Sequence, residues 1–269
     1  AKTVTSSGSN QVTITALDID LDGSIAGGTA VVVLDAAGTI GLGATPYQME
    51  ISDAELGRIT TTAGLTIGSA ASGSMTVEGI TDGNSDGVDV LTLRATKSSA
   101  SVTFSTKGST FNKALNVEVG TQATVNVATG KQVTVTNGAI TLTAFDIDLD
   151  GSLTSGTKGT NLYGANAGQT IGLGATAKNM QLEGAELQRI TASGMTLGSS
   201  VSGTMTVNGV TDANSDGITN FMSLIASKSG SKVVFVTGDS AFTSLAVVAE
   251  SAVVLSNAIT STATLAVDG

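Results

Sequence analysis

Cysteine, histidine and tryptophan are absent from the 269 residues, and there is one proline. Without cysteine there are no disulfides and no thiolate metal sites. Without histidine or cysteine, the Ser-His-Asp and Cys-His routes to nucleophilic catalysis are closed. Aromatic residues make up 3% of the chain. The core therefore has to be filled by Val, Ile, Leu, Ala and Thr, small or β-branched side chains that suit a pleated, half-buried surface. Charge is scarce too: 13% of residues are charged, with 12 Lys and Arg against 22 Asp and Glu, for a net charge of −10. No cluster of Lys and Arg exists of the kind that phosphate backbones require, which argues against a nucleic-acid partner. No apolar run approaches the ~20 residues of a membrane-spanning helix. No Asn-x-Ser/Thr sequon occurs. The opening AKTVTSSGSN is neither a signal peptide nor a methionine start, which points to a removed leader or a piece of a longer chain.

What the chain does have is 34 glycines and a long internal repeat. TALDIDLDGSI at 15–25 returns as TAFDIDLDGSL at 143–153, an offset of 146 − 18 = 128 between Asp18 and Asp146. TIGLGAT at 39–45 returns at 170–176, AELGRIT at 54–60 as AELQRIT at 185–191, and SGSMTVEGITDGNSDG at 72–87 as SGTMTVNGVTDANSDG at 202–217. Phe104 and Phe111 correspond to Phe235 and Phe242, at positions that face inward by alternation. The organisation expected is one unit over 1–130, a second over 131–256, and the start of a partial third over 257–269.

Within each unit the hydrophobic period is two: QVTIT, DIDLD, SMTVEGI, LNVEV, ATVNV and QVTVT alternate apolar with polar residues, as strands do. Glycine-bearing breaks separate them. Asn-Gly turns are confined to Asn137-Gly138 and Asn208-Gly209, so tight antiparallel hairpins are not the rule. The fold class expected is all-β, a parallel β-solenoid of two tandem units with about six coils of ~20 residues each. An antiparallel β-sandwich pair is the rival. One segment breaks the alternation: Ser52-Asp53-Ala54-Glu55 has the spacing of a helix capping box, and Glu55 and Arg58 suggest a salt-linked bend.

The stretches GQTIGLGAT at 168–176 and AELQRITASGMTLGS at 185–199, with their first-copy equivalents, resemble repeats of very large bacterial exoproteins of the filamentous haemagglutinin type. The resemblance implies a right-handed parallel β-helix, exported across the outer membrane and displayed as a fibre or adhesin.

Two acidic patterns are candidate sites. Asp18, Asp20 and Asp22 before Gly23, and Asp146, Asp148 and Asp150 before Gly151, open like an EF-hand loop, but Thr29 and Thr157 stand where its closing glutamate belongs. Ile19 and Leu21 alternate inward there, so the aspartates read as the solvent face of a strand. Asp82, Asn84 and Asp86 before Gly87, and Asp212, Asn214 and Asp216 before Gly217, have no such alternation. Three oxygen donors at alternate positions before a glycine can wrap Ca²⁺, and these six are the candidate calcium ligands. The same residues also suit a plain acidic turn. Runs of T-x-T do not fall at a constant spacing and read as ordinary strand threonines.

The functional expectation is a non-enzymatic structural component of an extracellular fibre or surface adhesin, lengthened by repeats or by end-to-end association through β-edges. Its partners are copies of itself, neighbouring repeats of a longer chain, or surface glycans. A polysaccharide-binding module and a carboxylate-dependent polysaccharide lyase or hydrolase are the alternatives. The latter is disfavoured because each acidic cluster occurs in both copies.

Overall fold

A computed structural model describes residues 2–269. It is all-β, with short strands joined by turns and three single-turn α-helices. Every strand pairing among the described residues is parallel. This removes the antiparallel sandwich. The reason lies in the connections: apart from the two nine-residue returns after IGLG, neighbours in a sheet are separated by some twenty residues or more, the length a parallel crossover needs.

The largest sheet has eleven strands. One inward column runs through it in register: Val12, Val32, Leu65, Leu91, Leu115, Ile140, Thr160, Met195, Met222, Leu245, Leu265. Between column members the chain visits other sheets and returns. From Val90–Ala95 it passes through Val102–Phe104 in a six-stranded sheet and Ser109–Phe111 in a four-stranded sheet, then lands at Ala114–Val119 beside its starting strand. The circuits from Val12 to Ile140 advance by 20, 33, 26, 24 and 25 residues. Those from Ile140 to Leu265 advance by 20, 35, 27, 23 and 20. Five unequal circuits thus separate Val12 from Ile140, where even coils of ~20 residues would have made about six. The longest circuit in each half carries an excursion, described below.

The inward positions fuse into one continuous core from Ile25 to Ala249, with Val12, Ile14, Ile19 and Leu21 half-buried at one end and Val253 and Ile259 at the other. All four expected phenylalanines, Phe104, Phe111, Phe235 and Phe242, are buried. Phe104 and Phe111 meet edge to face with ring centroids 6.4 Å apart, the arrangement that ring quadrupoles favour. Ile259–Asp268 pairs with Ser240–Ala249 in the position that Ile140–Ala144 takes against Ala114–Val119.

Close stacking explains the glycines of the IGLG motif. Gly43 and Gly174 have φ of +97° and +83°, and a Cβ at either would run into the carbonyl of Glu78 or Asn208 on the adjacent strand. Glycine alone meets both conditions.

Thr237 departs from this economy. It is a β-branched residue at φ 56°, a conformation that costs of order 1–3 kcal/mol. Gly238 N–H donates to the Val236 carbonyl (2.7 Å) across it and to Asn208 Oδ1 (2.9 Å), while Asn257 Nδ2 donates to the Thr237 carbonyl (2.8 Å). These bonds hold the strained turn in place. Thr237→Gly is expected to stabilise the protein by about 1 kcal/mol once the flexibility glycine adds to the unfolded chain is subtracted. Denaturant titration of the two proteins checks it, and a loss of stability would refute strain at this residue.

Candidate functional site

The excursion begins at IGLG. In each half the strand is followed by a loop that brings the chain back alongside itself in parallel, with Ile40 opposite Met49 and Ile171 opposite Met180. A shift of nine residues is shorter than the dozen or so that a parallel crossover takes. It is possible because Gly41 and Gly172 lie under the loop: a Cβ there would strike Thr45 or Thr176. The returning strands, Met49–Ile51 and Met180–Leu182, therefore occupy the edge next to the DIDL segment of the preceding circuit. Among the described residues no backbone ladder joins these strands to DIDL.

Side chains take over the seam. In the second half the Asp146 carboxylate accepts from Gln181 N–H (2.9 Å), and Glu186 accepts from Leu149 N–H (2.9 Å) and Glu183 N–H (2.7 Å). Arg189 donates to the Leu149 carbonyl. In the first half Asp18 accepts from Glu50 N–H (2.9 Å), Glu55 accepts from Leu21 N–H (2.7 Å) and Ser52 N–H (2.8 Å), and Arg58 donates to the Leu21 carbonyl. The same backbone groups are thus satisfied twice by the same residue types. Those that cross the seam are charge-assisted bonds in place of ladder bonds, and those from Ser52 and Glu183 N–H close the capping boxes of the adjoining helical turns. The one-turn helices Asp53–Leu56 and Gly184–Leu187 make this geometry. They put the glutamate and the arginine three residues apart, so both lie on one face. Ser52 caps the first helix, with Glu55 N–H donating to its hydroxyl (3.3 Å) and Glu55 closing the expected capping box. The salt-linked bend expected from Glu55 and Arg58 takes a different form. Arg58 spends its guanidinium on a carbonyl, and the ion pairs among the described residues are Arg94–Glu118 (2.7 Å) and Lys113–Asp89 (2.6 Å).

The DIDLD segments divide. Asp146–Leu149 is a strand, paired with Thr124–Val127 on one side. Its Asp148 and Asp150 face solvent, as expected. Residues 18–21 are not a strand, because among the described residues no counterpart of Thr124–Val127 lies beside them. Alongside the second seam runs an open groove of about 460 Å³, lined by Asn126, Asp146, Asp148, Asp150, Glu183 and Arg189, among others.

The two seams differ electrostatically. Burial pushes the carboxyls of Glu186 and Asp146 above their usual range, and the bonds from backbone N–H groups offset this only in part. At Glu55 burial also raises the pKa, but the bonds from Leu21 and Ser52 and the charge of Arg58 outweigh it, and the pKa falls below the usual value. A carboxyl whose pKa is raised by folding adds stability as pH falls through that pKa; one whose pKa is depressed loses its contribution.

The calcium candidates occupy turns. Asp82–Asn84 is a 3₁₀ turn in which the Asp82 carboxylate accepts from Thr136 Oγ1 (2.6 Å) and Asn112 Nδ2 (2.9 Å); the first of these bonds does most to lower its pKa. Asn84 Nδ2 donates to Asp53 (2.7 Å), and Asp86 is exposed. Asp212–Ser215 is a helical turn, where Thr243 Oγ1 donates to Asp212 (3.5 Å), Asn214 Oδ1 accepts from Thr211 N–H (2.9 Å) and Asp216 is exposed. Positions two apart on a helical turn do not face each other. The oxygens of Asp82, Asp212 and Asn214 serve neighbouring protein donors. Among the described residues no group of three or more acidic side chains is arranged to hold a metal ion. No helix among them is long and apolar enough to cross a membrane.

Two measurements follow. Glu55→Gln is expected to destabilise the protein at neutral pH, with a deficit that shrinks only as pH falls below the ordinary glutamate value of about 4.3 and through the lowered pKa of the folded state. Glu186→Gln is expected to behave oppositely, its deficit growing on acidification because the wild type gains. Parallel slopes in denaturant titrations across pH would refute the asymmetry. Calcium at about a hundredfold excess over the Kd of a real site would add ~2.7 kcal/mol. A Tm rise reversed by chelator is the outcome expected of calcium-binding loops, and an unchanged Tm with calcium or chelator would remove them. In comparisons with known proteins, no family model, no curated protein and no solved structure matches this chain.

Proposed function

We propose that the chain is a structural, non-enzymatic segment of an extracellular fibre or surface adhesin, built as a right-handed parallel β-solenoid of two tandem units. The observation that carries this reading is the eleven-strand parallel sheet that runs unbroken through both halves. Its ten steps of ~4.8 Å span ~48 Å along the stacking direction. Bending such a stack strains all its ladders together, so the body is stiff, and adding circuits lengthens it without a new fold. The repeated seam bonds support the tandem-unit reading, since the excursion and its three charged residues recur at equivalent places.

The non-enzymatic reading is supported by what the half-buried carboxylates of Glu186 and Asp146 do, which is to accept from backbone N–H groups at the seam. The partners are neighbouring repeats or further copies, which would extend the ladder at its edges. At one edge, Ile259–Asp268 exposes Leu265 and Val267; at the other, Val12–Thr15 has half-buried core side chains. Edges of this kind accept another strand. Extracellular display rests on the resemblance to haemagglutinin-type repeats and on a surface solvated by Thr, Ser, Asn and Gly rather than by charge.

Electron microscopy of the purified chain tests the reading. Straight, narrow rods of ~48 Å, or filaments carrying a corresponding axial repeat, are expected. Compact particles with no long axis would sink it.

A further inference from the structure

The two Asn-Gly dipeptides share one chemistry but sit in opposite environments. At Asn137-Gly138 the asparagine is exposed and lies in a turn. Its carboxamide makes one long hydrogen bond, Nδ2 to Asn112 Oδ1 at 3.4 Å. Among the described residues the Gly138 N–H donates to nothing. At Asn208-Gly209 the asparagine is half-buried at the end of a strand. Its carboxamide is held at both ends, Nδ2 donating to the Ala175 carbonyl (2.7 Å) and Oδ1 accepting from Gly238 N–H (2.9 Å). Its glycine N–H donates to the Gly238 carbonyl (3.4 Å).

We infer that Asn137 is a site of spontaneous backbone-assisted deamidation in the folded protein and that Asn208 is protected from it. The reaction needs a free carboxamide that can turn toward its own chain and a free amide nitrogen one residue on. Glycine favours it because no side chain obstructs the approach. A base takes the Gly138 N–H proton, the nitrogen bonds to Asn137 Cγ, and the Cγ–Nδ2 bond breaks, releasing ammonia and leaving a succinimide. Water then adds at either carbonyl, giving aspartate or isoaspartate. No oxidant, cofactor or second protein takes part. Before the same step at Asn208, two short hydrogen bonds have to break, which slows it by about tenfold or more.

The consequence is local and structural. Asn137 N–H donates to the Asn112 carbonyl (2.7 Å), and Leu115 N–H donates to the Ala139 carbonyl (3.0 Å), at the start of the ladder into Ile140–Ala144. Isoaspartate routes the backbone through an extra methylene between these two bonds. The aspartate product puts a carboxylate against Asn112 Oδ1, an acceptor whose own amide donates to Asp82. Conversion at Asn137 therefore loosens the junction between the two halves of the chain.

The experiment is incubation of the intact folded protein in warm, mildly alkaline heavy-oxygen water, followed by peptide mapping by mass spectrometry. The expected result is heavy oxygen in the peptide containing residue 137, as a mixture of aspartate and isoaspartate, with conversion at least about tenfold above that at Asn208. In denaturant the two sites are expected to convert at similar rates, which isolates the contribution of the fold. Asn137→Gln, which closes a ring far less readily, is expected to remove the label from that peptide. Equal labelling of both sites in the folded protein, faster labelling at Asn208, or no labelling at Asn137 while the denatured chain labels would each overturn the inference.

Discussion

The structure depends on one requirement: each strand's outward row of N–H and C=O groups must meet another parallel strand about 4.8 Å away. Most circuits meet it directly, because the chain returns in register to the strand it left. The excursion after IGLG cannot. It inserts a short strand between circuits and leaves the Leu21 and Leu149 backbone groups facing a neighbour that forms no ladder with them. Carboxylates and guanidiniums fill that gap, Asp18 with Glu55 and Arg58, and Asp146 with Glu186 and Arg189. A motif of charged residues in a chain so poor in charge is thereby accounted for by hydrogen-bond completion.

The two seams do not sit in equal surroundings. Asp146–Leu149 is covered on one side by Thr124–Val127, and that cover withdraws water from Asp146 and Glu186 and raises their pKa values. The first seam has no such strand among the described residues, so its Glu55 stays better solvated and its hydrogen bonds dominate. One set of bonds therefore responds to acid in opposite directions, according to whether a preceding circuit is packed against it. The same cover forms one wall of the groove beside the second seam, through Asn126.

Much of the architecture was legible from alternation and repetition. The inward columns, the four buried phenylalanines and the helical turn at Ser52–Glu55 follow from period two, from matched positions and from capping-box spacing. The circuit count was not legible, because even division assumes circuits of one length, and nothing in TIGLGATPYQMEI announces that the chain doubles back within nine residues. Nor was the seam. Leu21 and Glu55 are 34 residues apart and Leu149 and Glu186 are 37. DIDLD and AELxRIT stood out as the most faithfully repeated stretches, yet repetition does not say that they bond to each other. The aspartates before Gly87 and Gly217 look alike as metal ligands and as turn formers in one dimension. Only the turns themselves show Asp82 bonded to Thr136, 54 residues away.

Stacking also accounts for the scarcity of charge. In a parallel, in-register sheet each outward side chain lies directly above its counterpart on the next circuit, so a charged residue repeated at one position would face its like at about 5 Å, a destabilising arrangement. The outward column of the long sheet is instead Thr66, Thr92, Asn116, Thr141, Asn161 and Thr196 in register. These are neutral groups that can both donate and accept, and Asn161 Nδ2 donates to Thr141 Oγ1 (3.3 Å) along it. Where charge does enter neighbouring circuits it comes in opposite pairs: Arg94 stands beside Glu118, and Lys113 beside Asp89. A solvated face of Thr, Ser and Asn, which in a globular enzyme would be an oddity, is what a stack of circuits paired in register requires. The same constraint explains why the repeated carboxylates of Asp18, Glu55, Asp146 and Glu186 sit at the seams, where the ladder is interrupted.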